Sequence, residues 1–198
     1  MTSNPDDIRG PNTRVADPPS KEFRRGLIET LPALRRFALT LCRNTHARDD
    51  LVQATCERAL GRWQQFTPNT RMESWLFAVM HSIWKNDLRK AGNQRRAYGK
   101  LKLAVNQTDG EREILGKIEL SEVLLALKEI SINQAAAITL VSLEGLFYRE
   151  AAEILEIPQG TLESRIARGR IALGRALEDG QTVAARKTGT ELKSRSLP

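Results

Sequence analysis

The chain has 198 residues, enough for one ordinary domain or two small ones, and carries a net charge of +7 at neutral pH. Aromatic residues make up only 5%, which favours small aliphatic cores in helical modules over a sandwich or barrel. The sequence contains only two cysteines and two histidines and lacks a CxxC pair, so we expect no metal site. We also expect no cofactor. No apolar run approaches the ~20 residues that cross a bilayer, and no signal segment opens the sequence. We therefore expect a cytoplasmic protein without membrane insertion.

The amino-terminal part of the sequence changes character near Lys21. Residues 1–20 contain four prolines and few apolar side chains, which predicts a flexible arm. From Lys21, apolar residues recur at intervals of three and four, as on one or two stacked helices. Pro32 suits the first turn of a new helix, so we expect a break near Leu31.

A second and a third helix follow. Asn44 or Thr45 is expected to cap the second helix, and both cysteines fall on apolar helical stripes, which predicts buried, reduced thiols. The third helix is expected from about Met72 to Lys90 and is apolar on most sides. Its one polar stripe consists of Ser82, Lys85, Asn86 and Arg89. This stripe is either an anion-binding surface or the solvated face of a bundle helix.

Helical periodicity divides the rest of the chain. We assign residues 21–97 to a first module and residues 98–118 to a linker, because regular periodicity is lost there. Residues 119–179 form a second helical module, and residues 180–198 are expected to be a disordered basic tail.

Residues 147–177 predict a helix-turn-helix. A short helix over 148–155 precedes a tight turn, and a longer helix begins near Gln159. Two helices joined by so short a turn must cross steeply, so the second helix can enter a major groove. Ala151 and Ala152 are the small residues that such a crossing needs.

The second helix of this motif has two distinct faces. Its apolar face contains Leu162, Ile166, Gly169, Leu173 and Leu177. Its opposite face contains Thr161, Ser164, Arg165, Arg168 and Arg175. Arginine can donate two hydrogen bonds to a guanine edge or clamp a phosphate, so we interpret this face as DNA-binding. The alternative is an ordinary amphipathic helix with a solvated arginine face, and Glu163 on its flank would repel phosphate.

Two stretches resemble bacterial sigma factors. DDLVQATCERALGRWQQF, followed by ESWLF and a basic helix, resembles their second region, and EGLFYREAAEILEIPQGTLESRIARGR resembles their fourth. The small size, with nothing substantial between these regions, points to the extracytoplasmic-function group (group IV). The resemblance implies an all-α fold of two small modules, a region 2 bundle and a region 4 helix-turn-helix, joined by a flexible linker.

The resemblance also implies partners and a role. The protein is expected to be a non-enzymatic specificity subunit of RNA polymerase in stress response, monomeric when free. It would bind core RNA polymerase and promoter DNA, and we expect an anti-sigma factor to hold it inactive. The hypothesis kept beside it is a stand-alone helix-turn-helix regulator that dimerises on palindromic DNA. Clustered carboxylates, a Cys/His arrangement and a phosphate loop are lacking in the sequence, which disfavours an enzyme.

Site residues follow from the motif positions. Polymerase docking is assigned to the polar edge and core of the second helix: Asp49, Asp50, Leu51, Val52 and Gln53. Minus-ten DNA contact is assigned to a loop and the basic stripe: Phe66, Asn69, Thr70, Arg71, Ser82, Lys85, Asn86 and Arg89. Minus-thirty-five contact is assigned to the helix-turn-helix: Arg149, Thr161, Ser164, Arg165, Arg168 and Arg170. Phe66 has an equal alternative role as a core plug, since capture of a flipped base and core packing both suit a phenyl ring.

The sequence departs from the family pattern at several positions. Ser82 stands where an Asn often lines the flipped-base pocket, and Ser131 and Ala135 replace the usual Pro and Arg. Glu163 replaces a residue that is often basic or polar. These departures leave the base preference and one polymerase or structural contact open.

Overall fold

The computed structural model describes residues 18–98 and 118–194, with side chains described over 18–93 and 122–178. All regular structure within these ranges is helical, which confirms the predicted all-α class. The first module contains α1 (Lys21–Leu41), α2 (Thr45–Gly61), a 3-10 turn (Trp63–Gln65) and α3 (Met72–Tyr98). The second contains α4 (Ile118–Glu129), α5 (Ile132–Ile138), a π turn (Thr139–Leu143), α6 (Tyr148–Ile154) and α7 (Gln159–Ser194).

Side-chain caps fix where the first two helices begin. The Phe23 amide donates to Ser20 Oγ at 3.1 Å, and the Ala47 amide donates to Asn44 Oδ1 at 3.2 Å. Each cap satisfies an amide that the first helical turn would otherwise leave unpaired. Of the two caps considered for α2, Asn44 is the one that forms.

The three helices of the first module pack around a small, mostly aliphatic core. Leu34, Phe37, Leu76, Phe77 and Met80 are completely buried. The rings of Phe37 and Phe77 meet edge to face with centroids 5.2 Å apart. This core orients the outward faces of α2 and α3, where the polymerase and DNA contacts were predicted.

The predicted break near Leu31 is wrong. Helix α1 runs without interruption from Lys21 to Leu41, with Pro32 inside it. An interior proline costs about 3 kcal/mol through a lost hydrogen bond and a ring clash. Pro32 lies on the exposed side, whereas Leu27 and Leu34 on either side of it are buried. Burial of the apolar stripe along the whole helix outweighs the local cost of the proline.

In the second module, α7 packs against α4, α5 and α6. At Gly169, helix α7 lies close against α5. A Cβ atom added at Gly169 would lie 2.8 Å from Ile138 Cδ1 and 3.1 Å from Gln134 Cβ. The sequence placed Gly169 correctly on the apolar face, and the structure shows that a side chain there has no room.

Gly169→Ala is expected to destabilise the protein by about 1–3 kcal/mol, because the added methyl overpacks the α5–α7 contact. The measurement is the free energy of unfolding in urea. Gly174→Ala in the same helix is the matched control, since nothing lies within 4 Å of its added Cβ. That control is expected to gain about 0.5–1 kcal/mol from helix propensity. Equal stability of Gly169→Ala and the wild type would contradict the close crossing.

The two modules pack against each other. One continuous core joins Leu34, Phe37 and Met80 of the first module to Leu140 and Leu162 of the second. Helix α1 contacts α4 and α5, and α3 contacts α6. The two modules therefore cover part of each other's apolar surface.

The ends of the predicted segments differ from the structure. Helix α7 continues to Ser194, past residue 180, where the sequence analysis expected a disordered tail to begin. This stretch contains many good helix formers and no proline, so nothing in it stops the helix. Three stretches lie outside the described residues: residues 1–17 of the predicted arm, residues 99–117 of the predicted linker, and residues 195–198. Within the described ranges, no helix is long and apolar enough to span a membrane.

Candidate nucleic-acid and polymerase interfaces

The helix-turn-helix is built as the sequence predicted. Helix α6 ends at Ile154, α7 begins at Gln159, and the Ile157 amide donates to the Ala152 carbonyl at 3.1 Å across the turn. Glu156 adopts the left-handed backbone region at φ 52°, which lets the chain reverse within so few residues. Ala151 and Ala152 are buried at the crossing, where larger side chains would separate the helices.

The outer face of α7 carries most of the predicted minus-thirty-five residues. Ser164, Arg168 and Arg170 are exposed, whereas Leu162 and Ile166 are buried beneath them. Arg168 Nε donates to the Ser164 carbonyl at 3.1 Å, and Ser164 Oγ donates to the Thr161 carbonyl at 2.9 Å. These local bonds hold the Arg168 side chain along the exposed face of the helix.

The remaining predicted residues on this module differ in accessibility. Arg149 is exposed on α6 and pairs with Glu153 at 3.0 Å, and Thr161 is half-buried. Arg165 is half-buried too, and it lines a cleft of about 250 Å³ between the modules with His81, Trp84 and Lys85. Arg165 therefore points to the first module, unlike Arg168.

The loop before α3 has one packed residue and several exposed ones. Phe66 lies with its ring centroid 5.8 Å from that of Phe23 and 5.6 Å from that of Trp75, so it packs against the core. This geometry favours the core-plug alternative for Phe66. Asn69 is exposed at φ 67°, and Thr70 Oγ1 donates to the Thr67 carbonyl at 2.7 Å, which closes the turn.

The basic stripe on α3 is present but partly engaged. Ser82 is exposed, and Arg89 donates to Asn86 Oδ1 at 2.6 Å on the solvent side. Lys85 forms an ion pair with Glu156 in the turn of the helix-turn-helix. Arg71, on the loop before α3, has its Nη1 atom 3.6 Å from Glu150 Oε2. Neither Glu150 nor Glu156 was predicted as a partner, because both lie in the other module.

The predicted docking residues on α2 differ in their exposure to solvent. Asp49, Asp50 and Gln53 are exposed, and Gln53 donates to Glu57 at 2.8 Å. Leu51 and Val52 are buried in the core of the first module. Among the five predicted docking residues, the exposed ones are therefore Asp49, Asp50 and Gln53.

The two cysteines are free and half-buried, in keeping with the predicted reduced thiols. Burial raises the pKa of Cys42 to about 11 and also raises the pKa of Cys56. Both thiols are therefore protonated and weakly nucleophilic at neutral pH. The described residues contain no cluster of metal-ligating side chains.

His81 is a buried titratable group that the sequence did not single out. Its ring lies 5.6 Å from that of Trp84, and its Nδ1 atom has no hydrogen-bond partner among the described residues. Burial lowers the pKa of His81 below its usual 6.5, the nearby Glu156 carboxylate opposes this, and Lys85 and Arg165 reinforce it. His81 is thus held neutral between the two modules.

Acidification is expected to weaken the folded protein through His81. The folded state lowers the pKa of His81, so the neutral ring contributes fully to the free energy of unfolding above pH 6.5. This contribution is lost as the pH falls through the lowered pKa. Glu156 acts at lower pH, since its hydrogen bond from Lys85 lowers its pKa below 4.5. The measurement is the unfolding free energy between pH 7.5 and pH 5.5. In this range His81→Phe should flatten the dependence of the unfolding free energy on pH, and the control His46→Gln should leave that dependence unchanged. If the unfolding free energy of His81→Phe depends on pH as steeply as that of the wild type, His81 is not the cause of the pH dependence.

Each of the two modules matches the model of a known protein family. Residues 27–81 match the model of the Sigma2 domain of PhyR, and residues 120–173 match the model of sigma-70 region 4. These matches and the helical fold define a sigma-factor type of transcription protein. The solved structure of the sigma factor RpoE in complex with the anti-sigma factor NepR from Bartonella quintana matches with TM-score 0.67 and 30% identity. That match covers 80% of this chain and 98% of that one.

Curated relatives narrow the class to one family. The ECF RNA polymerase sigma factor EcfG of Rhodopseudomonas palustris (strain TIE-1) is 31% identical over 161 residues, which cover 81% of this chain and 87% of that protein. The ECF RNA polymerase sigma factor SigC of Mycobacterium tuberculosis is 32% identical over 125 residues, which cover 63% and 67%. The chain belongs to the extracytoplasmic-function (ECF) family of RNA polymerase sigma factors, and it is an alternative sigma factor of transcription initiation.

Proposed function

We propose that this chain binds core RNA polymerase through the exposed edge of α2 and grips promoter DNA with both modules. The observation that carries the proposal is the outer face of α7, where Ser164, Arg168 and Arg170 stand exposed on a helix-turn-helix. Such a face suits a major groove, in which arginine reads guanine edges and hydroxyls reach phosphates. The protein has no catalysis of its own in this role and acts in the cytoplasm.

The second grip lies on the first module. Its proposed minus-ten contacts lie on the loop before α3 and on α3 itself: Asn69, Thr70 and Arg71 on the loop, and Ser82, Lys85, Asn86 and Arg89 on α3. The acidic edge of Asp49, Asp50 and Gln53 on α2 is the proposed contact with core polymerase. The proposed division is region 2 over 21–97 and region 4 over 119–179, and the matches to family models fall within these bounds.

The test is transcription in vitro with purified core polymerase. Genomic fragments are transcribed with and without the protein, and the new transcript ends are mapped by sequencing. Initiation at a recurring two-part promoter only when both components are present is expected. Tight binding of the protein alone to a palindrome, with no effect of core polymerase, would instead support a stand-alone regulator.

An anti-sigma factor is proposed as a further partner. The similar RpoE protein was solved in complex with the anti-sigma factor NepR, which supports this assignment. Affinity capture of the tagged chain from uninduced cells should recover a small protein that blocks transcription in the assay above. Full activity in cells at all times, with no inhibitory protein captured, would overturn this assignment.

A further inference from the structure

A carboxylate stands on the part of α7 that is proposed to bind DNA. Glu163 is exposed beside Ser164, at the fifth position of the helix. The favourable field of a helix start acts on the first turn, so it does not account for an acidic residue at this position. Among the side chains that the structure describes, no arginine forms an ion pair with Glu163. Its charge is therefore left to oppose the phosphates of a bound duplex.

Gln159 holds this carboxylate in place. Gln159 Nε2 donates to Glu163 Oε1 at 3.0 Å, across one turn of the helix. A carboxylate only accepts hydrogen bonds, and it has two oxygen atoms with which to do so. Within the described side chains, the second oxygen, Oε2, accepts no bond. The pair thus presents a fixed, unused acceptor on the exposed surface of the helix-turn-helix.

The major groove offers such an acceptor few donors. The amino groups of the bases are N4 of cytosine and N6 of adenine. Adenine places its N7 acceptor next to N6, and this acceptor repels the second oxygen of a carboxylate. Cytosine has no acceptor beside N4, so a carboxylate favours cytosine over the other bases. A hydrogen bond to this amino group offsets the cost of bringing the negative charge near the phosphates.

The neighbours of Glu163 allow the helix to come close to the bases. Gly160 precedes Glu163 by three positions and Ala167 follows it by four, and both are exposed. Residues at these spacings lie on the same side of a helix, and these two are too small to extend past the carboxylate. A Cβ atom added at Gly160 would meet nothing within 4 Å, so packing inside the chain does not require glycine there. The carboxylate is therefore the group on this strip that reaches the floor of a groove first.

We infer that Glu163 selects a cytosine in the minus-thirty-five element, and that Gln159 is the residue that positions it. This inference rests on the proposed function, which places the outer face of α7 in a major groove. Arg168 follows Glu163 by five positions, which is about 7.5 Å along the helix. Base pairs are stacked about 3.4 Å apart, so the selected cytosine lies within about two base pairs of the base that Arg168 contacts.

Transcription from a template library tests this assignment with the full chain and core polymerase. The minus-thirty-five element of one mapped promoter is randomised, its minus-ten element is kept, and each template carries a barcode in its transcribed part. Sequencing of the transcripts then gives the base preference at each position. The variants are Glu163→Gln and Glu163→Ala. Glu129→Gln is the matched control, because it removes the same charge from an exposed position on α4 of the same module.

The wild type and Glu129→Gln are expected to favour cytosine at one position by about fivefold or more, the lower end of the range for one mismatched base pair. Glu163→Ala should lose the preference at that position and keep the preferences at the others. Glu163→Gln should shift it toward adenine, because a glutamine amide pairs with both N6 and N7. Loss of charge alone cannot produce such a shift, since the control loses the same charge.

Gln159→Ala tests the positioning role. It should lower the preference for cytosine without creating a preference for adenine, because the carboxylate is present but no longer held. A residue that served only the fold would lower transcription from all templates alike and leave the base preference unchanged. That result, with the helical content intact by circular dichroism, would overturn the role of Gln159.

An unchanged base preference at every position in both Glu163 variants would overturn the inference. So would a uniform rise in transcription from all templates, because Glu163 would then only repel phosphates. Failure of the proposed function looks different. The wild-type chain would then give no polymerase-dependent transcript from any genomic fragment, and the assignment of Glu163 would fall with it.

Discussion

Arg168→Ala is expected to lower transcription from the protein's own promoters by about 5–150-fold, the factor that corresponds to the 1–3 kcal/mol of a two-bond arginine–base contact. Arg168 is exposed on the outer face of α7, and its bond to the Ser164 carbonyl directs it away from the core. Folding should be unaffected, because the side chain contributes little to the packed face. The measurement is multiple-round transcription with core polymerase and a promoter mapped as above.

Arg25→Ala is the matched control for Arg168→Ala. It removes the same charge from an exposed helical position on α1, where Arg25 Nε lies 3.9 Å from Glu29 Oε1. This control should transcribe like the wild type. The effect of Arg168→Ala should also shrink on a promoter whose minus-thirty-five element is scrambled. A loss of the same size on both promoters would show that Arg168 does not read that element.

The helix-turn-helix was predictable because its signals are local. Pro158 after a short helix, the small pair Ala151 and Ala152, and the spacing of apolar residues on α7 all act within a few turns. The sequence could not show that Arg165 faces the other module while Arg168 faces solvent. They are three residues apart on one helix, and only contact with the other module distinguishes them.

The packing of the modules could not be predicted from the sequence. Arg36 on α1 donates from Nε to Glu144 Oε1 at 2.7 Å across the modules, although 108 positions separate the two residues in the sequence. Neither residue differs in sequence pattern from an ordinary exposed charge. The π turn at Thr139–Leu143 adds to this difficulty, because it redirects the chain just before Glu144 and has no sequence signature. Contacts of this range depend on how whole modules meet, not on local periodicity.

The error at Pro32 and the unforeseen burial of Leu51 and Val52 have one physical origin. In each case a local or family pattern was applied without the packing around it. Pro32 is tolerated because the helix that contains it is anchored by buried residues on both sides of the proline. Leu51 and Val52 match a docking motif, yet their side chains serve the core and leave the exposed polar edge to meet a partner.

Asp50→Arg is expected to weaken binding to core polymerase by about 10–100-fold, as for a charged contact near the centre of an interface. Asp50 is exposed beside Asp49 and Gln53 on α2, so a reversed charge faces the partner directly. Asp87→Arg is the matched control, since Asp87 is also exposed on the first module and its Oδ1 atom lies 3.6 Å from Lys90 Nζ. Affinity is measured by competition with a labelled sigma factor for core polymerase. Equal weakening by both variants would mean that overall charge, and not the α2 edge, governs docking. A loss confined to Asp50→Arg, with duplex binding by the free chain unchanged, would separate the polymerase contact from both DNA-binding surfaces.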